Sequence, residues 1–139
     1  MNAIVKYIIG ILSLLMLSST CCKKDENKHD LILFINNSNK TIFLKSSVGF
    51  PDTLIHFSNP ALAGNSNKVA PKSSGDPLRL SDTYEELFRQ IDTLMVFVFD
   101  SQTLEIEPWD TVKKNYLILK RYDLSLLDLK NKNWVITYP

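Results

Sequence analysis

Three kinds of side chain in this sequence could carry chemistry. They are the adjacent cysteines Cys21 and Cys22, the histidines His29 and His56, and the closely spaced carboxylates Glu105 and Glu107. Thiols can be acylated, oxidised or bound to metal. A histidine beside a nucleophile supports acid–base catalysis, and paired carboxylates can hydrolyse glycosides. The spacing argues against each of these catalytic uses. Residues 31–139 hold no cysteine and a single histidine, His56, so they lack the clustered ligands of a zinc site. There is no Gly-x-Ser-x-Gly elbow, and four glycines in the chain are too few for a phosphate-cradling loop. His56 reads as a partly buried strand residue within Leu54–Phe57. Glu105 and Glu107 read as solvated acids in a turn before Pro108. The expectation is a protein that is not an enzyme and uses neither metal nor cofactor.

The cysteines have a different context. Lys6 precedes an uncharged apolar run from Tyr7 to Leu17, then come Ser18-Ser19-Thr20 and the cysteine pair. A membrane-spanning helix needs about 20 apolar residues, so the run is short for a span and fits the core of a signal peptide. A vicinal disulfide or two buried thiols would be the alternative, but no core is available at this junction. The arrangement resembles the signal of bacterial lipoproteins, in particular the loose cysteine motif of Bacteroides-like bacteria. Ser18 and Thr20 stand where a stricter motif has leucine and a small residue. The resemblance implies cleavage before Cys21, with Cys22 as the alternative, and acylation of that cysteine. Fatty chains hold a protein at a membrane because each buried methylene contributes about 0.8 kcal/mol. Residues 1–20 are thus the expected signal peptide. Residues 21–30, rich in charge and without apolar periodicity, are the expected lipidated tether. Lys24-Asp25-Glu26 resembles the lysine-acidic signal that sends some such lipoproteins to the outer face of the outer membrane.

Three Asp-Thr-aliphatic triplets recur: Asp52-Thr53-Leu54, Asp92-Thr93-Leu94 and Asp110-Thr111-Val112. They resemble the O-glycosylation signal of exported proteins in the same bacteria, which makes Thr53, Thr93 and Thr111 candidate acceptors. Aspartate and threonine also gather at turns and helix caps for local reasons.

The chain has 139 residues, 45% of them hydrophobic and 22% charged, with a formal net charge of +1. Such a balance suits one globular domain and offers no basic patch for nucleic acid. Residues 31–139 form that domain. Leu31–Ile35 and Thr41–Lys45 read as a hairpin across the Asn36–Lys40 turn. Lys68–Ala70 and Leu78–Leu80 read as short strands. Asp82 is a candidate helix cap with Glu85 three residues on, and Tyr84, Leu87, Phe88 and Ile91 follow at helical spacing. Thr93–Phe99 is the strongest strand and is apolar on both faces, so it belongs in the middle of a sheet. Pro108 is expected at the first position of a short helix, residues 116–122 as a strand, Ser125 as the cap of a helix, and Trp134–Tyr138 as the last strand. The predicted class is α+β: a largely antiparallel sheet, sandwich-like in its N-terminal half, with two or three short helices.

The domain also resembles small cell-envelope lipoproteins of Bacteroides-like bacteria, on segments such as Leu119–Ser125 and Asn133–Pro139. That resemblance implies a location and no activity. Trp109, Tyr116, Tyr122, Trp134 and Tyr138 gather in the last third of the chain and are candidates for a binding surface or for the core. The resulting expectation is a lipid-anchored envelope protein, carrying palmitate at the outer membrane, whose domain binds a protein or a glycan. The alternatives are an accessory subunit of an envelope complex and, more weakly, an envelope hydrolase.

Overall fold

The computed structural model describes residues 28–139, so Cys21, Cys22 and the signal-like stretch lie outside the described residues. The fold is α+β, with two mostly antiparallel sheets packed as a sandwich. Its centre is β5 (Leu94–Asp100), in which Leu94 to Phe99 are all buried. Strand geometry sends alternate side chains to opposite faces. Leu94, Val96 and Val98 join one core, while Met95, Phe97 and Phe99 join another. A strand apolar on both faces needs a cover on each, and it has one.

β5 is antiparallel to β2 (Ile42–Ser47) on one side and to β6 (Lys120–Leu124) on the other. β3 (Lys68–Val69) extends this sheet beyond β2. In the second sheet β1 (Leu33–Asn36) lies between β4 (Ser73–Gly75), antiparallel, and β7 (Val135–Tyr138), parallel. Ile32, just ahead of β1, with Phe34 and Ile136 from the second sheet meet Ile42, Leu44, Val96 and Val98 from the first, forming the inter-sheet core. The outer face of the first sheet is covered by Ile55, Leu104 and Val112.

The expected hairpin of Leu31–Ile35 with Thr41–Lys45 does not form, because its two strands belong to different sheets. β2 spends its whole length on β5, in register from Ile42 opposite Asp100 to Ser47 opposite Met95. The turn between β1 and β2 is shaped by Asn36, whose side chain is fully buried. Its Oδ1 accepts from the Ser38 N–H at 3.0 Å, and its Nδ2 donates to the carbonyls of Lys40 at 2.8 Å and Ala70 at 3.0 Å. Those bonds carry the chain across the sandwich instead of back along one sheet.

The helices are short and more numerous than the two or three expected. They are a 3-10 helix (Pro60–Asn67), α1 (Tyr84–Leu87), α2 (Ser101–Ile106), α3 (Trp109–Lys114) and α4 (Leu126–Asn131). Thr83, not Asp82, caps α1, its hydroxyl accepting from the Glu86 N–H at 3.3 Å. Pro108 is the cap of α3 and not its first residue. Ser125 and Asp128 make the reciprocal capping box at the start of α4. Leu54–Phe57 and Leu78–Leu80 are irregular rather than strands, and Tyr116 to Leu119 precede β6 without belonging to it. No helix among the described residues is long and apolar enough to cross a membrane.

His29 and Asp30, which the charge pattern placed in the tether, are docked on the domain. The Tyr84 N–H donates to the His29 carbonyl at 2.7 Å, and the Leu80 N–H to that of Asp30 at 2.8 Å. The His29 ring stacks on Trp134 with centroids 4.1 Å apart. Trp134 sits in the left-handed region, φ 61°, directly after Asn133 at φ 51°. A non-glycine residue there costs about 1–2 kcal/mol. The conformation is held because the Trp134 N–H donates to Leu129 and its carbonyl accepts from Leu33, both at 2.9 Å.

Glu85 completes this corner. Its carboxylate accepts from the His29 N–H at 2.9 Å and meets the ring Nδ1 at 2.7 Å. Burial pushes the Glu85 carboxyl up, but the His29 backbone and ring contacts outweigh it and hold the group below its ordinary value. A carboxyl lowered on folding stabilises the fold fully above its unfolded pKa, and that contribution is lost as pH falls through the folded pKa. Glu85→Gln is therefore expected to flatten the acid limb of stability. Urea midpoints from about pH 6 down to about pH 2 check this, since wild type must fall more steeply than the variant.

Candidate functional site

The residues singled out by sequence are scattered. Thr53 lies half-exposed in the irregular segment after β2. Thr93 is half-buried just ahead of β5, and Thr111 is half-buried within α3. The three threonines sit on different elements and form no common site. Beside Thr53, the Asp52 carboxylate accepts from the Leu54 N–H at 2.9 Å and meets His56 Nε2 at 2.9 Å. The Leu54 bond first, and the His56 bond second, hold Asp52 below the usual carboxylate range. The side chains of His56 and Asp52 are 71% and 51% exposed. The expectation of a partly buried strand histidine is thus corrected: His56 is on an exposed loop, because Ile55 and Phe57 turn inward on either side of it. A dyad so open to water gains none of the low-dielectric reinforcement that catalysis uses.

Glu105 is in α2 and not in a turn, and it accepts from the Ser101 hydroxyl at 3.1 Å. Glu107 follows the helix. No group of three or more His, Cys, Asp or Glu among the described residues could hold a metal ion.

Most of the late aromatics serve packing. Trp109 lies over Phe57 and Phe99 and donates from Nε1 to the Phe57 carbonyl at 3.3 Å. The Tyr122 hydroxyl donates to the Thr137 carbonyl at 2.8 Å, tying the edge strands β6 and β7 together. Burial, with Tyr138 nearby, pushes that phenol up to about 12. Tyr116 is the more exposed ring, but its hydroxyl accepts from Arg121 at 2.8 Å and its edge meets Phe97. These rings do not form an open stacking platform.

A cleft of about 420 Å³ lies instead between α2 and residues 117–119. Packing explains where it is. The Ser101 N–H donates to the Thr41 carbonyl at 3.1 Å, fixing the start of α2, and Leu104 plugs the outer core. After α3 the chain reverses at Tyr116, φ 51°, and the Leu119 N–H joins the Val98 carbonyl at 2.8 Å. Ile106 and Leu117 line the resulting gap and are 68% and 37% exposed. Asp100, whose side chain is 13% exposed, accepts from the Thr103 hydroxyl at 3.2 Å and lies 3.7 Å from Lys40 Nζ. A second depression of about 300 Å³ shares Asp100 and Gln102 with the first and is lined by Asn39, Lys40, Thr41 and Glu105. The two depressions flank α2, the larger toward residues 117–119 and the smaller, more polar one toward residues 39–41.

The cleft escaped the sequence reading. Its residues come from separate segments, each explicable alone as a cap, a helix or a strand. The available signal was Ile106, an aliphatic residue between Glu105 and Glu107 where a solvated turn had been expected. No protein-family model, no curated protein and no solved structure matches the chain.

Proposed function

We propose that this chain is a lipid-anchored cell-envelope protein whose domain binds a partner protein without catalysis. The anchoring half of the reading rests on the Tyr7–Leu17 run leading into Cys21 and Cys22, with the outer membrane favoured by Lys24-Asp25-Glu26. The binding half is carried by one observation: the open aliphatic cleft bordered by Ile106 and Leu117 with polar groups at its rim. Exposed apolar surface rimmed by polar residues marks interaction sites. A protein is favoured over a glycan because the late aromatic rings are spent on packing. The accessory-subunit reading draws on a second exposed apolar group, Val48, Phe50 and Leu54, which a permanent partner would cover.

Labelled palmitate in the native host tests the anchor. Wild type and Cys22→Ala should incorporate label, and Cys21→Ala should not; incorporation by none of them refutes acylation. A photo-crosslinker at Gln102 in native membranes tests binding. A discrete protein adduct that disappears with Ile106→Asp is the expected result, and the absence of any adduct counts against it.

A further inference from the structure

We infer that the groove between α2 and residues 117–119 receives a segment of a partner protein that pairs an aliphatic side chain with a lysine or arginine. The inference rests on the binding reading above and specifies its chemistry.

The aliphatic requirement comes from the walls. Ile106 and Leu117 line the groove and are open to water, so an incoming aliphatic group buries surface on both sides of the contact. Ile118 and Leu119 continue that lining. The space, about 420 Å³, falls within the range of clefts that bury small ligands and side chains.

The cationic requirement comes from unequal neutralisation. Glu107 lines this groove and Glu105 the smaller depression on the other flank of α2. Of the nearby cations, Lys40 lies 3.7 Å from Asp100, within the lining itself, and Lys113 pairs with Asp110 at 2.9 Å. Among the described residues no ion pair reaches Glu105 or Glu107. Glu107 in the groove, with Glu105 two positions before it, is thus a carboxylate without a paired cation. A lysine or arginine beside the aliphatic anchor meets that charge, and an acidic segment is repelled by it.

The test is selection of a displayed library of random short peptides against the purified full chain. Enriched sequences are expected to place Lys or Arg next to Leu, Ile, Val or Met. Ile106→Asp and Glu107→Lys are each expected to weaken the selected peptides about tenfold or more, the scale of losing a hot-spot contact. Both side chains are at the surface, and circular dichroism of each variant checks that the fold is kept. Raised salt should weaken binding to wild type, and selection on Glu107→Lys should shift toward acidic sequences. Enrichment of acidic or uncharged peptides, undiminished binding to Ile106→Asp, or no enrichment at all overturns the inference. A Gln102 adduct that survives such a result leaves the binding reading intact and removes only its chemistry. Loss of both the adduct and the enrichment removes the two together.

Discussion

Asn36→Ala is expected to lower the unfolding free energy by about 3 kcal/mol, with most of the loss centred on the turn between β1 and β2. Asn36 is the buried polar residue among the described residues, at 0% exposure. Its amide reaches Lys40 and Ala70, and its oxygen takes both the N–H and, at 2.7 Å, the hydroxyl of Ser38. Truncation strands several of these groups, and each buried orphan costs about 1–3 kcal/mol. Groups near the surface regain water, which keeps the total near the middle of the possible range. Asn36→Asp should be worse, since it retains the oxygen but replaces two donors with a buried charge. Equilibrium urea unfolding measures the loss, and hydrogen exchange at the Ser38 and Lys40 amides locates it. A variant within about 0.5 kcal/mol of wild type would show that the turn is set by its neighbours and not by this amide.

Phe97→Ala is expected to cost more, about 4 kcal/mol. The ring is fully buried at the middle of β5, on the face that carries α2 and α3. It meets Phe57 at 5.4 Å, Phe99 at 6.4 Å and Tyr116 at 6.5 Å between centroids. Its removal leaves a cavity that β5 cannot close, because the strand is pinned on both sides by β2 and β6. Urea unfolding of Phe97→Ala beside Phe57→Ala checks this. Phe57 is half-buried on an irregular segment that can settle inward, so its variant should lose less. Equal losses would mean that the outer core relaxes freely. Tyr116 precedes the wall of the cleft, so Phe97→Ala should also weaken peptides selected on the wild-type groove.

The features legible in the sequence were those settled by neighbouring residues. The uninterrupted apolar run of β5 implied a two-faced central strand, and Ser125 with Asp128 implied a helix start. Features settled by distant partners were misread. The Asn36–Lys40 cluster does mark a turn, but whether it closes a hairpin or crosses a sandwich depends on what β1 and β2 find elsewhere in the chain. Apolar residues at Leu54–Phe57 reported burial and not strand geometry, since Ile55 and Phe57 plug the outer core from an irregular segment. α2 is only Ser101–Ile106, too short to display a helical period. The cleft combines residues 100–107 with residues 117–119, and exposure of Ile106 depends on which of its neighbours fold over it.

The docking of His29 has a mechanical consequence. The chain enters the domain at the corner of Glu85 and Trp134, and β1 then leads toward Asn39–Thr41, which line the smaller depression beside α2. Entry point and that depression therefore lie beyond opposite ends of β1. A pull between residue 28 and an occupant of that depression would run along that strand. Because β4 and β7 flank β1 on either side, such a load would shear two ladders of hydrogen bonds at once instead of peeling one bond at a time.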